Sequence, residues 1–276
     1  MNHNAILVSE DQALLRQTVA AVQAAGDAVK ALFDPAARPQ TVQQIVAAIE
    51  ANDRVSMSIL RQALSQARPE ARWDDDEEGH GALPPGEWWV CDPVEGAINH
   101  IHGVPDWAVT ATLVRDNVPV LTAIHLPLSG ETYSAIQGGG AWCNERRLRV
   151  SAKTDLGAAM VGTGQAAPGE EQATHRRIGQ SVVAMLGAAL VVKVSVPSTL
   201  QLIRVAAGQQ ELFWQYSQVR SGLMAGALLV AEAGGAVNDL HGQPWQPNST
   251  AFLAGAPALA TAAAALLAAV DEGSAA

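Results

Sequence analysis

Residues 88–103 read WWVCDPVEGAINHIHG, and two acids in this stretch are spaced for chemistry. The apolar run Trp88–Cys91 ends in Asp92-Pro93, and Glu95-Gly96 follows three residues after Asp92. A proline restricts the backbone between the carboxylates and a glycine frees it after them, so the two can converge without a helix. Paired carboxylates on a loop after a strand suit hard cations, which take oxygen ligands. The acidic run Asp74-Asp75-Asp76-Glu77-Glu78 lies upstream and could add a third ligand. Two ions held this way would activate a water and clamp a phosphoryl group. For Asp74, Asp75 and Glu78 the plainer reading is a solvated acidic loop. Asp92 is different, because an acid emerging from so apolar a run needs a partner.

His100 stands two residues from His102. If residues 98–102 are extended, both imidazoles face one side. Beside Asp92 and Glu95, His100 would serve as a general acid or base near neutral pH. The competing reading is a surface or core histidine. Asp106 is a further acid just beyond.

Helices and strands in alternating blocks must position these groups. Residues 9–34 carry apolar residues at helical spacing (Leu14, Val19, Val22, Val29, Leu32) and predict a first helix, broken by Pro35 and Pro39. Residues 41–67 predict a second, ended by Pro69. From residue 88 the period changes. WWVCD, WAVTATLVR, VPVLTAIHL and ETYSAI are short β-branched or aromatic runs bounded by Pro, Asn and Gly, and predict strands. Helices are expected over 176–191, 198–208, 221–233 and 258–270, with VVKVSV and ELFWQY as strands between them. Gly234-Gly235 stops the fifth of these helices. Blocks of strands separated by helices point to layered sheets and helices rather than strict βαβ alternation.

Composition narrows the classes. The 276 residues suit one large domain or two small ones, and 49% hydrophobic with 16% charged residues is a globular composition. A net charge of −10 argues against a nucleic-acid binder, which needs a basic face. It leaves room for an anionic small substrate, since local charge can outvote net charge. Two cysteines, Cys91 and Cys143, make no disulfide framework and have no metal-ligand spacing. No stretch reads as a signal peptide or a membrane span, so a cytoplasmic location is expected.

Several spaced motifs between residues 40 and 256 resemble the inositol monophosphatase family. The pattern D-P-x-D-G-T-x-N is met by Asp92-Pro93-Val94-Glu95-Gly96-Ala97-Ile98-Asn99, followed by His102-Gly103 and by Pro105, Ala108 and Val109. G-x-G-A-x-x-N with L-x-V-S is met by Gly138, Gly140, Ala141, Asn144, Leu148, Val150 and Ser151. The late A-G and E-A-G-G are met by Ala225-Gly226 and Glu232–Gly235. The resemblance implies an αβαβα layered α/β fold over residues 1–276, with subdomains of roughly 1–150 and 151–270. It also implies a Mg²⁺-dependent phosphatase of small molecules, commonly a homodimer.

Residue by residue, the implied chemistry is altered. The family's G-E-E falls on Asp75-Asp76-Glu77, which leaves Asp76 as the ligand with Asp92 and Glu95, and a further family acid falls on Asp53. The water-activating Thr is Ala97, and the Asp of the late W-D is Gly222. Substrate contacts would fall on Gly96, Ala97, Ser198, Trp214 and Gln215. Three readings follow. The first is an enzyme of this fold in which Asp76, Asp92, Glu95 and His100 run non-hydrolytic acid–base chemistry on a small metabolite, such as cyclisation, dehydration or isomerisation. The second is a Mg²⁺-dependent phosphomonoesterase with a weakened site. The third is a silent binding or regulatory member.

Overall fold

The computed structural model describes residues 3–76, 79–167, 169–216 and 219–273. They form two compact units, Met1–Glu77 with Leu83–Arg146, and Glu78–Ala82 with Arg147–Ala276. The helices α1 (His3–Lys30) and α2 (Val42–Ala67) open the first unit. Thr41 begins α2 with its hydroxyl accepting from the Gln44 amide at 3.2 Å, satisfying one of the unpaired first-turn donors.

Seven strands follow in one sheet whose spatial order is their chain order. They are β1 (Arg72–Trp73), β2 (Glu87–Glu95), β3 (Ala108–Arg115), β4 (Val118–Leu126), β5 (Glu131–Ile136), β6 (Gly140–Cys143) and β7 (Arg146–Arg147), the last at the boundary between units. β1 runs parallel to β2, and β2 to β6 form an antiparallel meander. Strand alternation puts Val109, Ala111 and Leu113 on the face that packs with Leu14, Val22, Leu60 and Leu64 of the helices. Each such large side chain contributes about 1.5–3 kcal/mol on burial. A short helix, α3 (Ala97–Ile101), interrupts between β2 and β3.

The second unit has a five-stranded sheet built from β8 (Met160–Thr163), β9 (Val191–Val194), β10 (Leu212–Gln215), β11 (Ala236–Asn238) and β12 (Phe252–Gly255). Its order is β11-β12-β10-β8-β9. β8 is parallel to β9 and β10, and β12 is antiparallel to β10 and β11. The helices α4 (Gln172–Leu186), α5 (Ser198–Ala206), α6 (Arg220–Glu232) and α7 (Pro257–Gly273) complete it. Gly255 lets two strands close up: a Cβ there would lie 2.2 Å from the Glu211 carbonyl oxygen. Arg220, only 6% exposed, donates from Nη1 to the carbonyls of His80 and Gly81, and its amide donates to Gly79. The edge strand β9 leaves Leu190, Val191 and Val194 exposed.

The long elements agree with the sequence reading to within a few residues, although α1 begins earlier and α4 ends sooner. Two expectations are corrected. Residues 98–102 are not extended; they lie in and just after α3, because Gly96 at φ 86° turns the chain and its carbonyl accepts from the Asn99 and His100 amides. The strands β8, β11 and β12 had no sequence signal, being three or four residues long and rich in Gly, Ala and Met. No helix among the described residues is long and apolar enough to cross a membrane.

Candidate functional site

The carboxyl pair forms where β2 leaves its ladder with β3. The register slips between Asp92 (opposite Thr110) and Glu95 (opposite Ala108), leaving a bulge that contains Pro93. Pro93 has no N–H to donate, so the irregularity sits where a ladder bond is impossible anyway. Asp92 is anchored from both sides: its amide donates to the Thr110 hydroxyl at 3.2 Å, and its Oδ1 accepts from the Val94 amide at 3.0 Å. Asp92 and Glu95 are both buried, and their carboxyls hydrogen-bond to each other. Burial, then the Glu95 charge and the bond to it, then Asp53, hold the Asp92 carboxyl well above the usual carboxylate range. Two buried carboxyls in direct contact keep a proton between them, since both cannot ionise cheaply.

His100 is absent from this pair. It is a core histidine, 3% exposed, held edge-on between Phe33 and Trp107 at ring-centroid distances of 5.4 and 4.7 Å. Its Nδ1 accepts from Asn52 Nδ2 at 3.0 Å and its Nε2 donates to the Val29 carbonyl at 3.3 Å. Both ring nitrogens are therefore occupied in the neutral form, and burial lowers its pKa further. The helical turn of α3 rotates the ring into the core, away from the face that an extended strand would give. His102 spends its Nδ1 on the Ile98 carbonyl at 2.8 Å. Ala97 packs its methyl against the cluster of Val29, Val94 and Trp107, which assigns it to packing.

A depressed histidine pKa gives stability that is full above about pH 6.5 and is lost as pH falls through the lowered value. His100→Phe is expected to keep turnover within about twofold and to move the acid-unfolding midpoint to lower pH. His100→Ala is expected to lose about 3 kcal/mol, as a buried ring leaves a cavity. Urea unfolding at pH 5 and 8, run beside activity, checks both. A large loss of turnover in the phenylalanine variant at full stability would restore His100 to the chemistry.

The upstream acids divide. Asp76 is exposed and does not line the cavity beside Asp92's strand. Asp74 and Asp75 line it instead, and Asp75 pairs with Arg61, whose guanidinium also lies 4.8 Å from the Trp73 ring centroid. Glu77 and Glu78 fall outside the described residues. Asp53, on α2, lines the same cavity of about 260 Å³, with its carboxyl raised to about 6 by burial and by Glu50. Arg54 and Arg61, which the sequence reading passed over, also line it. The signal was present: Arg54, Met57 and Arg61 follow the 3-and-4 spacing of one helix face.

In the second unit, Ser198 and Gln215 meet, the Ser198 hydroxyl donating to Gln215 Oε1. A Cβ on Gly164 would stand 2.8 Å from that oxygen, so the glycine keeps this polar spot open. Trp214 is not with them. It is fully buried in the core, and its indole N–H donates to the Ser181 hydroxyl at 2.9 Å. Alternation along β10 makes neighbours 214 and 215 face opposite ways, so only one could reach a substrate. Thr199 donates to the Gly222 carbonyl at 2.9 Å.

The residues present do not fit the multi-ion Mg²⁺ arrangement that the sequence resemblance implies. Among the described residues, no three acids, histidines or cysteines gather closely enough to hold an ion. The hydroxyl position is Ala97 and the late carboxylate position is Gly222. The pair Asp92–Glu95 is bonded to itself, which suits proton sharing.

Comparison with known proteins places this geometry in context. The Inositol monophosphatase family profile matches residues 10–273. An inositol-1-monophosphatase of Rhizobium meliloti is 33% identical over 192 residues, 69% of this chain and 71% of that protein. A putative Nus factor SuhB of Neisseria meningitidis serogroup B is 32% identical over 192 residues, 69% of this chain and 73% of that protein. Among solved structures, the extragenic suppressor protein SuhB of Bartonella henselae superposes with a TM-score of 0.77 at 25% identity, covering 93% of this chain and 99% of that one. An inositol monophosphatase from Anabaena (Nostoc) gives 0.78 at 23% identity over 94% of this chain and 96% of its own, a likeness of fold.

Proposed function

Because the chain belongs to the inositol monophosphatase family, we propose that it is an enzyme of that fold acting on a small metabolite by proton transfer rather than by metal-assisted hydrolysis. The observation that carries this is the buried, mutually bonded Asp92–Glu95 pair, with Ala97 and Gly222 at the positions of the family's hydroxyl and late carboxylate. One protonated and one ionised carboxyl side by side supply an acid and a base within reach of one ligand. Cyclisation, dehydration or isomerisation each need that combination and no water nucleophile.

A second reading, a Mg²⁺-dependent phosphomonoesterase of inositol or sugar phosphates, is favoured by the 33% identity to a protein named inositol-1-monophosphatase. One experiment separates them. Phosphate release from a panel of sugar and inositol phosphates is followed with Mg²⁺ and with EDTA, beside NMR of the same mixtures for isomers and dehydration products. The proposal expects no Mg²⁺-dependent phosphate release and a product that forms in EDTA. Brisk Mg²⁺-dependent release would overturn it. A protein inert in every arm would leave the binding role suggested by the SuhB name of its relatives. Self-association is also proposed, supported by the exposed apolar edge of β9, where Val194 is 54% exposed. Light scattering giving one-chain mass at micromolar concentration would refute it.

A further inference from the structure

The cavity between α2 and the ends of β1 and β2 has a charge layout that names a ligand class. Its floor is formed by Cys91 and Pro93, both buried, and by Asp53 Oδ1. That oxygen is inaccessible to water and has no hydrogen-bond partner among the described residues. An orphaned carboxylate oxygen costs free energy until a donor reaches it. Glu50 and Asp92 both act on Asp53 or are acted on by it, so the floor is negative and favours a cationic donor over a hydroxyl.

The rim is different. Arg54, Arg61 and Asp75 are exposed there. Arg61 is taken up by Asp75 and by the Trp73 ring. Arg54 has no hydrogen-bond or ion-pair partner among the described residues and lines the same opening. A free guanidinium at a cavity mouth is suited to a carboxylate or phosphate, which it can bind through two parallel bonds. The volume, about 260 Å³, lies at the small end of ligand pockets.

We infer that this cavity binds a small zwitterionic metabolite, with its ammonium group on Asp53 and its anionic group on Arg54. The inference rests on the reading of the Asp92–Glu95 pair in the same unit as the reacting centre, and gives that reaction its substrate class. The ammonium fills the one missing bond on the floor, and the anion fills the one unpaired cation on the rim. Anionic sugars without nitrogen satisfy only the second.

Calorimetry on the full chain tests this with five probes in EDTA, except the last. Glucosamine 6-phosphate and glucosaminate carry an amine with a phosphate or a carboxylate. Glucose 6-phosphate carries the anion alone, glucosamine the amine alone, and MgCl₂ the metal alone. At least one of the first two is expected to bind about tenfold or more tighter than glucose 6-phosphate and glucosamine, the size of one charge-assisted bond. Asp53→Asn is expected to erase the advantage over glucose 6-phosphate. Arg54→Gln is expected to erase the advantage over glucosamine. Equal binding of glucose 6-phosphate and glucosamine 6-phosphate, no binding of either amine-bearing anion, or binding that survives both substitutions would overturn the assignment. So would a Mg²⁺ site lost in Asp53→Asn that excludes the amines. The two readings fail separately. Preference for amine-bearing anions in a protein that performs only Mg²⁺-dependent hydrolysis keeps the cavity and removes the proton-transfer chemistry. Proton-transfer turnover on a nitrogen-free substrate does the reverse.

Discussion

Asp92→Asn is expected to lower turnover by about a hundredfold or more while making the fold more stable above neutral pH. The first effect is the loss of one member of an acid–base pair, whose contribution is commonly 10²–10⁴-fold. The second follows from the position of the carboxyl. Asp92 is buried against Glu95, and that burial and repulsion raise its pKa. A raised folded-state value means that the native protein holds the proton more tightly than the unfolded chain does. Its contribution is fully present below the ordinary carboxyl range, near pH 4, and is lost as pH rises through the raised value. Asparagine keeps the size and cannot ionise, so it escapes that loss. Thermal midpoints of both proteins at pH 4.5 and pH 8, in EDTA, should be similar at the first pH and higher for the variant at the second. Repeating the pH 8 measurement in Mg²⁺ adds a check. A resident ion would stabilise the parent and not the variant, reversing the order. A variant that is less stable than the parent at pH 8 in EDTA would show that Asp92 is held by favourable partners instead of opposed ones.

Gly255→Ala is expected to be the most damaging single methyl group in the second unit. The added Cβ would lie 2.2 Å from the Glu211 carbonyl oxygen and 2.9 Å from the Leu212 Cα. Both are backbone atoms of the strand paired with β12, so neither can rotate aside. That places the cost near the top of the range for overpacking, about 3 kcal/mol. For a chain of this size the thermal midpoint should fall by roughly 6–12 °C. Gly179→Ala is the matched control. Gly179 lies inside α4 with no atom within 4 Å of the new Cβ, so alanine should stabilise by about 0.5–1 kcal/mol through helix propensity. Paired melting curves decide the matter, and equal midpoints for the two variants would mean that β10 and β12 approach less closely than described.

The boundary of legibility runs between backbone and side chain. Period and punctuation read out α2 and the meander from β2 to β5, because each buries one periodic face against a neighbour. The spacing of Asp92, Pro93 and Glu95 was enough to bring the two carboxyls together, since a bulge needs little beyond those three residues. His100 was not legible. Its role turns on whether residues 97–101 coil or extend, and that is decided by the φ 86° of Gly96, a property that any glycine permits and none announces. Trp214 shows the same limit in a strand: one residue of register separates the buried tryptophan from Gln215, which bonds Ser198. Asp76 marks a third kind. An acid matched by position along a motif stands exposed, while its neighbours Asp74 and Asp75 line the cavity. Arg54 and Arg61 were visible as a helix face, but nothing in the sequence says that the face fronts a hole.

Arg220 gives the molecule a calendar. Its guanidinium closes on the carbonyl of His80, 140 positions earlier in the chain. At roughly 5–20 residues per second on the ribosome, His80 emerges about 7 to 28 seconds before the side chain that will hold it. During that interval residues 79–81 belong to a unit that does not yet exist. The N-terminal segment can begin to fold, but its short excursion into the second unit must wait for nearly the whole polypeptide, so truncation anywhere before residue 220 leaves an early loop permanently without its clasp.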